Sequence, residues 1–147
     1  MSETLKIVLA DDDDSDRANF IDAFEELKIK SNVHTFKDGV ELMEYIQNDN
    51  FSIPDIIFLD LNMPRKNGLQ CLKEIRENPK LKEIIVAIYS TSSSGKDIEA
   101  TYINGANVYI KKPNDFTTLK QVLDKVVKAV YAYSNPPFKL ENFIFKL

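Results

Sequence analysis

Cysteine and histidine are nearly missing from this sequence, which contains one of each among 147 residues. The single cysteine, Cys71, cannot form a disulfide within the chain, so we expect a reducing compartment, the cytoplasm. We interpret Cys71 as a small apolar residue of a helix and His34 as an ordinary residue of a strand. Without a cluster of either residue type, thiolate or imidazole metal sites are not predicted.

A basic surplus and long apolar runs are also lacking. Lysine and arginine number 19 against 23 acidic residues, and the net charge of −4 argues against a nucleic-acid surface. No apolar run approaches the roughly 20 residues that cross a membrane. The first residues lack the basic and apolar regions of a signal peptide. We therefore expect a cytoplasmic protein that binds neither nucleic acid nor membrane.

Glycine is scarce, with four residues, and no glycine-rich phosphate loop is present. The length is that of one domain, and no repeat or Gly/Ser linker divides the chain. We expect a domain over residues 1–133 and a C-terminal extension over residues 134–147. Apolar residues of the extension, among them Phe138 and Phe143, would be costly to expose. The extension is therefore expected either to pack on the domain or to join two copies as a homodimer.

The sequence is rich in short apolar runs that alternate with amphipathic segments. The runs predict strands at residues 5–10, 32–36, 56–60, 83–89 and 107–111, each followed by a helical pattern. This alternation predicts an α/β fold with a doubly wound parallel sheet and helices on both faces. Five such strands fit the flavodoxin-like order 2-1-3-4-5, in which strand one lies beside strand three.

Polar side chains follow these strands at the edge where parallel sheets of this type place their chemistry. The candidates are Asp11, Asp12, Asp13, Asp60, Asn62, Ser90 and Lys112. Clustered carboxylates repel one another, so their pKa values must rise or a cation must join them. Oxygen ligands of this kind select a hard ion such as Mg²⁺, and such a site also suits the oxygens of a phosphoryl group.

Other interpretations of the acidic run are weaker. Asp11-x-Asp13-x-Ser15 is like the start of an EF-hand loop, but the sixth position is Asp16 rather than glycine and a strand precedes it. Asp14 and Asp16 are interpreted as helix-start acids that favour the first turn through the helix dipole. Asp60, taken alone, could simply cap a turn.

Four stretches together resemble the receiver domain of two-component response regulators over about residues 5–133. They are Ile7–Asp13, Pro54–Pro64 with Gly68, Ile88–Ser90 and Tyr109–Pro113, and they match its motifs in order and spacing. The subgroup paired with phytochrome-type sensor kinases is the nearest in pattern. This resemblance implies a stand-alone receiver with the fold expected above.

The resemblance also implies a role for each site residue. Asp60 would be the phosphoacceptor, and Ser90 and Lys112 would bind the phosphoryl oxygens. The Mg²⁺ ligands would be Asp12, Asp60, the backbone carbonyl of Asn62 and, through water, Asp11. Tyr109 would turn inward as Ser90 moves to the phosphate, and the Lys112–Pro113 bond would be cis.

The expected function is therefore that of a signalling protein rather than an enzyme. It would take a phosphoryl group from a sensor histidine kinase or phosphotransfer protein and act on a downstream protein target. One alternative is an aspartyl-phosphate phosphatase or phosphotransferase that uses Asp11-x-Asp13 with Asp11 as nucleophile. A second alternative is a degenerate receiver that acts only as a binding scaffold.

Overall fold

The computed structural model describes residues 4–48, 50–132 and 144–145. Strands and helices alternate along the chain. The strands are β1 (Leu5–Ala10), β2 (Ser31–Phe36), β3 (Ile56–Leu59), β4 (Ile85–Ser90), β5 (Val108–Lys111) and β6 (Ile144–Phe145). The helices are α1 (Asp14–Glu26), α2 (Gly39–Ile46), α3 (Gly68–Glu77), α4 (Gly95–Ile103) and α5 (Phe116–Ala132).

The sheet is parallel, and its strands lie in the order β2-β1-β3-β4-β5-β6. The predicted fold class and the order 2-1-3-4-5 are confirmed. The two-residue β6, which extends the sheet beyond β5, was not predicted because a strand of two residues carries no periodic pattern. The predicted behaviour of the 134–147 extension, including Phe138 and Phe143, otherwise lies outside the described residues, so packing or dimerisation through it stays a prediction.

Two apolar layers cover the two faces of the sheet. On one face, α1 and α5 pack on the sheet through residues such as Phe20, Phe24 and Leu123. On the other face, α2, α3 and α4 contribute residues such as Leu42 and Leu72. Every residue of β3 is buried, as expected for a strand covered on both sides. Within the described ranges, no helix combines the length and apolar character that crossing a bilayer requires.

Side-chain caps fix where the helices begin. Asp13 caps α1 by accepting a hydrogen bond from the backbone N–H of Asp16, and Asp38 caps α2 in the same way. Asn67 and Gln70 form a reciprocal capping box at the start of α3. These caps end the loops that follow β1, β2 and β3 at defined residues, next to the edge of the sheet where the strands end.

Candidate functional site

The strand register brings the predicted site residues to one edge of the sheet. Ala10 pairs with Leu59 and Leu59 with Ile88, so Asp11 and Asp60 follow two neighbouring strands at the same level. Ser90 pairs with Lys111, which places Lys112 directly after the level of Ser90. The backbone N–H of Lys112 donates to the carbonyl of Ser90 at 2.7 Å. The convergence that the sequence predicted is therefore present.

Asp11 and Asp60 are both buried at this edge. Asp11 is 0% exposed and Asp60 is 4% exposed. Burial raises the pKa of Asp60 to about 7, although the charge of Lys112 opposes the shift. Burial also raises the pKa of Asp11, although the nearby charge of Lys112 and a hydrogen bond from the Asp13 backbone oppose the shift. A water-poor setting thus makes both carboxylates costly to ionise unless positive charge is close.

Lys112 supplies that charge. Its Nζ lies 2.8 Å from Asp11 Oδ2, 2.7 Å from Asp16 Oδ2 and 3.5 Å from Asp60 Oδ2. The approach to Asp11 Oδ2 is not aligned for a hydrogen bond and is best described as an ion pair. Burial of the ammonium disfavours its charge, but the Asp11 and Asp16 contacts outweigh this cost and raise the pKa of Lys112. The lysine is therefore held charged.

The carboxylates form a cluster that fits a hard divalent cation. Asp11, Asp12 and Asp60 each offer an oxygen, and these oxygens lie within 4.8 Å of one another. Asp12 is exposed, so the cluster opens to solvent on its side. Asp60 Oδ1 accepts a hydrogen bond of 3.3 Å from the backbone N–H of Asn62, which keeps Asn62 beside the cluster. That the backbone carbonyl of Asn62 binds the metal stays a prediction. The cis Lys112–Pro113 bond stays a prediction as well.

The loop after β4 is organised by a residue that the sequence did not single out. Ser92 N donates to Ser90 Oγ at 3.1 Å, and Ser92 Oγ contacts Asp97 Oδ2 at 2.6 Å. The Ser92 carbonyl accepts from the hydroxyl of Tyr109 at 2.9 Å. Tyr109 is 1% exposed, and its hydroxyl reaches the loop that follows Ser90. Whether this contact forms a switch stays a prediction.

The loop after β3 is tied to α2. Arg65, which has a φ of 65°, donates to Asp38 Oδ2 from Nε at 3.1 Å and from Nη2 at 2.7 Å. Asp38 is buried and also caps α2. The loop that follows Asp60 is thereby joined to the start of the neighbouring helix.

Asp16 is the main site contact that sequence reasoning missed. It is the third residue of α1, and its role as a helix-start acid is sufficient to explain its presence there. In the structure its carboxylate also accepts a hydrogen bond from Lys112. A useful signal would have been the number of acids in the loop after β1, because that loop and Lys112 share one edge of the sheet.

Comparison with known proteins places this site in a family. Residues 7–124 match the family described as the response regulator receiver domain. The chain is 30% identical over 124 residues to the response regulator Rcp1 of Synechocystis sp. (strain ATCC 27184 / PCC 6803 / Kazusa), covering 82% of this chain and 84% of Rcp1. It is 29% identical over 126 residues to chemotaxis protein CheY-3 of Vibrio cholerae, covering 86% of this chain and 94% of that protein.

Two solved structures show the same architecture. The phosphorylated cyanobacterial phytochrome response regulator RcpA superposes with a TM-score of 0.82 at 33% identity, covering 92% of this chain and 100% of RcpA. The Mn²⁺-bound form of response regulator Rcp1 superposes with a TM-score of 0.77 at 27% identity, covering 92% of this chain and 99% of Rcp1. The first of these proteins is phosphorylated, and the second has bound Mn²⁺.

Proposed function

The chain belongs to the response regulator receiver family of two-component systems, and we propose that it accepts a phosphoryl group on Asp60 and signals by contact with another protein. The observation that carries this proposal is the position of Asp60. It is a buried carboxylate with the ammonium of Lys112 at 3.5 Å and two further carboxylates within 4.8 Å. This arrangement favours a reaction that adds a charged group to Asp60 and neutralises it there.

The phosphoryl donor would be a phosphohistidine of a sensor kinase or phosphotransfer protein. An oxygen of Asp60 would form a bond to phosphorus while the phosphorus–nitrogen bond breaks, and the electron pair of that bond would stay on the imidazole. The product is an acyl phosphate on Asp60. Lys112 and Ser90, which end β5 and β4, are placed to bind two of the phosphoryl oxygens.

Mg²⁺ is the proposed cofactor. The proposed ligands are the carboxylates of Asp12 and Asp60, the backbone carbonyl of Asn62 and, through water, Asp11. When bound, the ion would neutralise charge on the acceptor and on the incoming phosphoryl oxygens. An all-oxygen donor set with open solvent access on one side suits Mg²⁺, which retains several waters. The single positive charge of Lys112 does not balance the charges of three carboxylates, and this supports the binding of a cation at the site.

Readout would pass through the loop after β4. Ser90, Ser92 and Tyr109 are connected by hydrogen bonds in this loop, so a shift of Ser90 toward a phosphoryl group would alter the others. The surface formed by α4, β5 and α5 would then present a changed face to a downstream protein. In this proposal the chain is a cytoplasmic signalling protein whose only chemistry is its own phosphorylation and dephosphorylation.

Incubation with a small phosphodonor and Mg²⁺ followed by intact-protein mass spectrometry tests the proposal. We expect the wild type to gain the mass of one phosphoryl group. Asp60→Asn should gain none, because the amide cannot act as the nucleophile. Asp22→Asn, which alters an exposed acid of α1, is the matched control and should be modified like the wild type. Equal modification of Asp60→Asn and the wild type would refute Asp60 as acceptor.

A further inference from the structure

The ammonium of Lys112 is shared unequally among three carboxylates. Its nearest partners are Asp16 at 2.7 Å and Asp11 at 2.8 Å, whereas Asp60 lies at 3.5 Å, beyond a direct hydrogen bond. The contact with Asp16 is a directed hydrogen bond. The lysine side chain is 9% exposed, so it has little access to water in place of these partners. Lys112 is thus drawn toward α1 and away from the acceptor.

The three partners differ in how easily they can release the lysine. Asp11 is fully buried, and loss of its ion pair would leave a charge without compensation in a water-poor site. Asp16 has a side chain that is 33% exposed, so water can replace the ammonium at modest cost. Asp16 is therefore the partner that can be exchanged.

The position of Asp16 is fixed by the first turn of α1. Its backbone N–H donates to Asp13 Oδ1 at 2.9 Å, as part of the helix cap. Nearby, Arg17 Nη1 donates to the carbonyl of Asp11 at 2.7 Å, which ties the same turn to the loop after β1. The backbone of Asp16 is thus fixed in a position from which its carboxylate contacts Lys112.

We propose that Asp16 is a positioning residue that holds the Lys112 ammonium away from Asp60 until a phosphoryl group arrives. A phosphoryl oxygen on Asp60 would then take the donor that Asp16 had held, and Asp16 would turn to water. Because Asp16 competes with the phosphoryl group for one ammonium, it weakens the binding of that group. This inference rests on the proposed function, since it requires Asp60 to carry the phosphoryl group.

The test is the affinity for beryllium fluoride, a phosphoryl analogue, at saturating Mg²⁺. We expect Asp16→Asn to bind it about three- to tenfold more tightly than the wild type, the range of a partly exposed hydrogen bond between charged groups. Asp14→Asn is the matched control, because Asp14 lies in the same helical turn, is 93% exposed and pairs with Arg17 rather than Lys112. Asp16→Glu keeps the carboxylate and should stay close to the wild type.

A titration with Mg²⁺ alone separates positioning from general loosening of the site. In Asp16→Asn the released lysine should pair more fully with Asp60 and Asp11, so Mg²⁺ affinity should fall while beryllium fluoride affinity rises. A loss of both affinities would assign Asp16 a structural role and overturn the proposal. Equal beryllium fluoride affinities in Asp16→Asn and Asp14→Asn would also overturn it. If the wild type itself gains no phosphoryl group, the proposed function fails instead.

Discussion

At the scale of single residues, Gly68 marks the point where the loop after β3 has least room. It begins α3, and its backbone N–H donates to the carbonyl of Leu61 at 3.1 Å. A Cβ at this position would lie 2.2 Å from the carbonyl oxygen of Asp60. Because atoms do not approach so closely, any side chain here must displace the backbone of Asp60.

We therefore expect Gly68→Ala to displace the Asp60 backbone, to lower the free energy of unfolding by about 1–3 kcal/mol and to slow phosphoryl uptake. Urea denaturation and the mass-spectrometric assay measure the two effects. Gly95→Ala is the control, because a Cβ at Gly95 would meet no atom within 4 Å. That variant should be unchanged or more stable by about 0.4–1 kcal/mol. Similar losses in both variants would contradict the steric argument.

Single residues also show how much of the candidate site could be predicted from the sequence. Asp11, Asp60 and Lys112 were predicted as neighbours because the strand ends of a parallel sheet meet at one edge, independently of how the helices pack on the sheet. Asp16 was not predicted, because the direction of a side chain in the first turn of α1 depends on how the helix lies on the sheet. Within the serine run after β4, Ser92 could not be singled out from the sequence, because its contacts come from three separate elements, β4, α4 and β5.

At the scale of secondary-structure elements, Arg76 joins the end of α3 to the segments before β4 and β5. Its guanidinium donates to the carbonyls of Lys82, Ile84 and Gly105 and to Oδ1 of Asn107, at 2.7–3.1 Å. All these acceptors are neutral, and burial lowers the pKa of Arg76. The planar fork of donors therefore acts as a hydrogen-bonding bridge between elements.

We expect Arg76→Lys to lower the free energy of unfolding by about 1–3 kcal/mol, since a lysine cannot reach carbonyls on both segments and leaves buried acceptors without donors. Arg65→Lys provides the control, because the same chemical change there affects a side chain that is largely exposed. Its cost should stay below about 1 kcal/mol. Chemical denaturation of both variants decides the question, and equal losses would show that the bridge is not what stabilises these segments.

The elements themselves were predictable to different degrees. The bounds of α3 follow from Gly68 at its start and Asn78-Pro79 at its end, and the structure has them at Gly68–Glu77. The fourth strand was expected at residues 83–89 but lies at Ile85–Ser90. An apolar run shows which residues are buried, and Ile84 is buried, yet the run does not show where strand pairing begins. The Arg76 bridge could not be predicted, because every residue has a backbone carbonyl and the sequence does not show which of them lie near a given side chain.

At the scale of the whole molecule, the acidic site opposes the stability of the fold. The pKa of Asp60 is raised from 3.8 to about 7, mainly by burial. Between about pH 4 and pH 7 the folded protein therefore keeps a proton that the unfolded chain has lost. The free energy of unfolding should fall as the pH rises through this window and stay low above it. The buried carboxylate of Asp60 thus lowers the stability of the folded state at neutral pH.

Asp60→Asn should relieve this cost in buffers that contain a chelator of divalent cations. The variant keeps the ion pairs of Lys112 with Asp11 and Asp16, so the buried ammonium still has two carboxylate partners. We expect it to be more stable than the wild type at pH 8, by an amount on the order of 4 kcal/mol, and nearly equal to it at pH 4. Thermal and urea unfolding across this range measure the difference. Asp22→Asn, which removes an exposed acid, should show no such dependence on pH. If the gain in stability of Asp60→Asn did not vary with pH, burial of the Asp60 charge would not be the source of that gain.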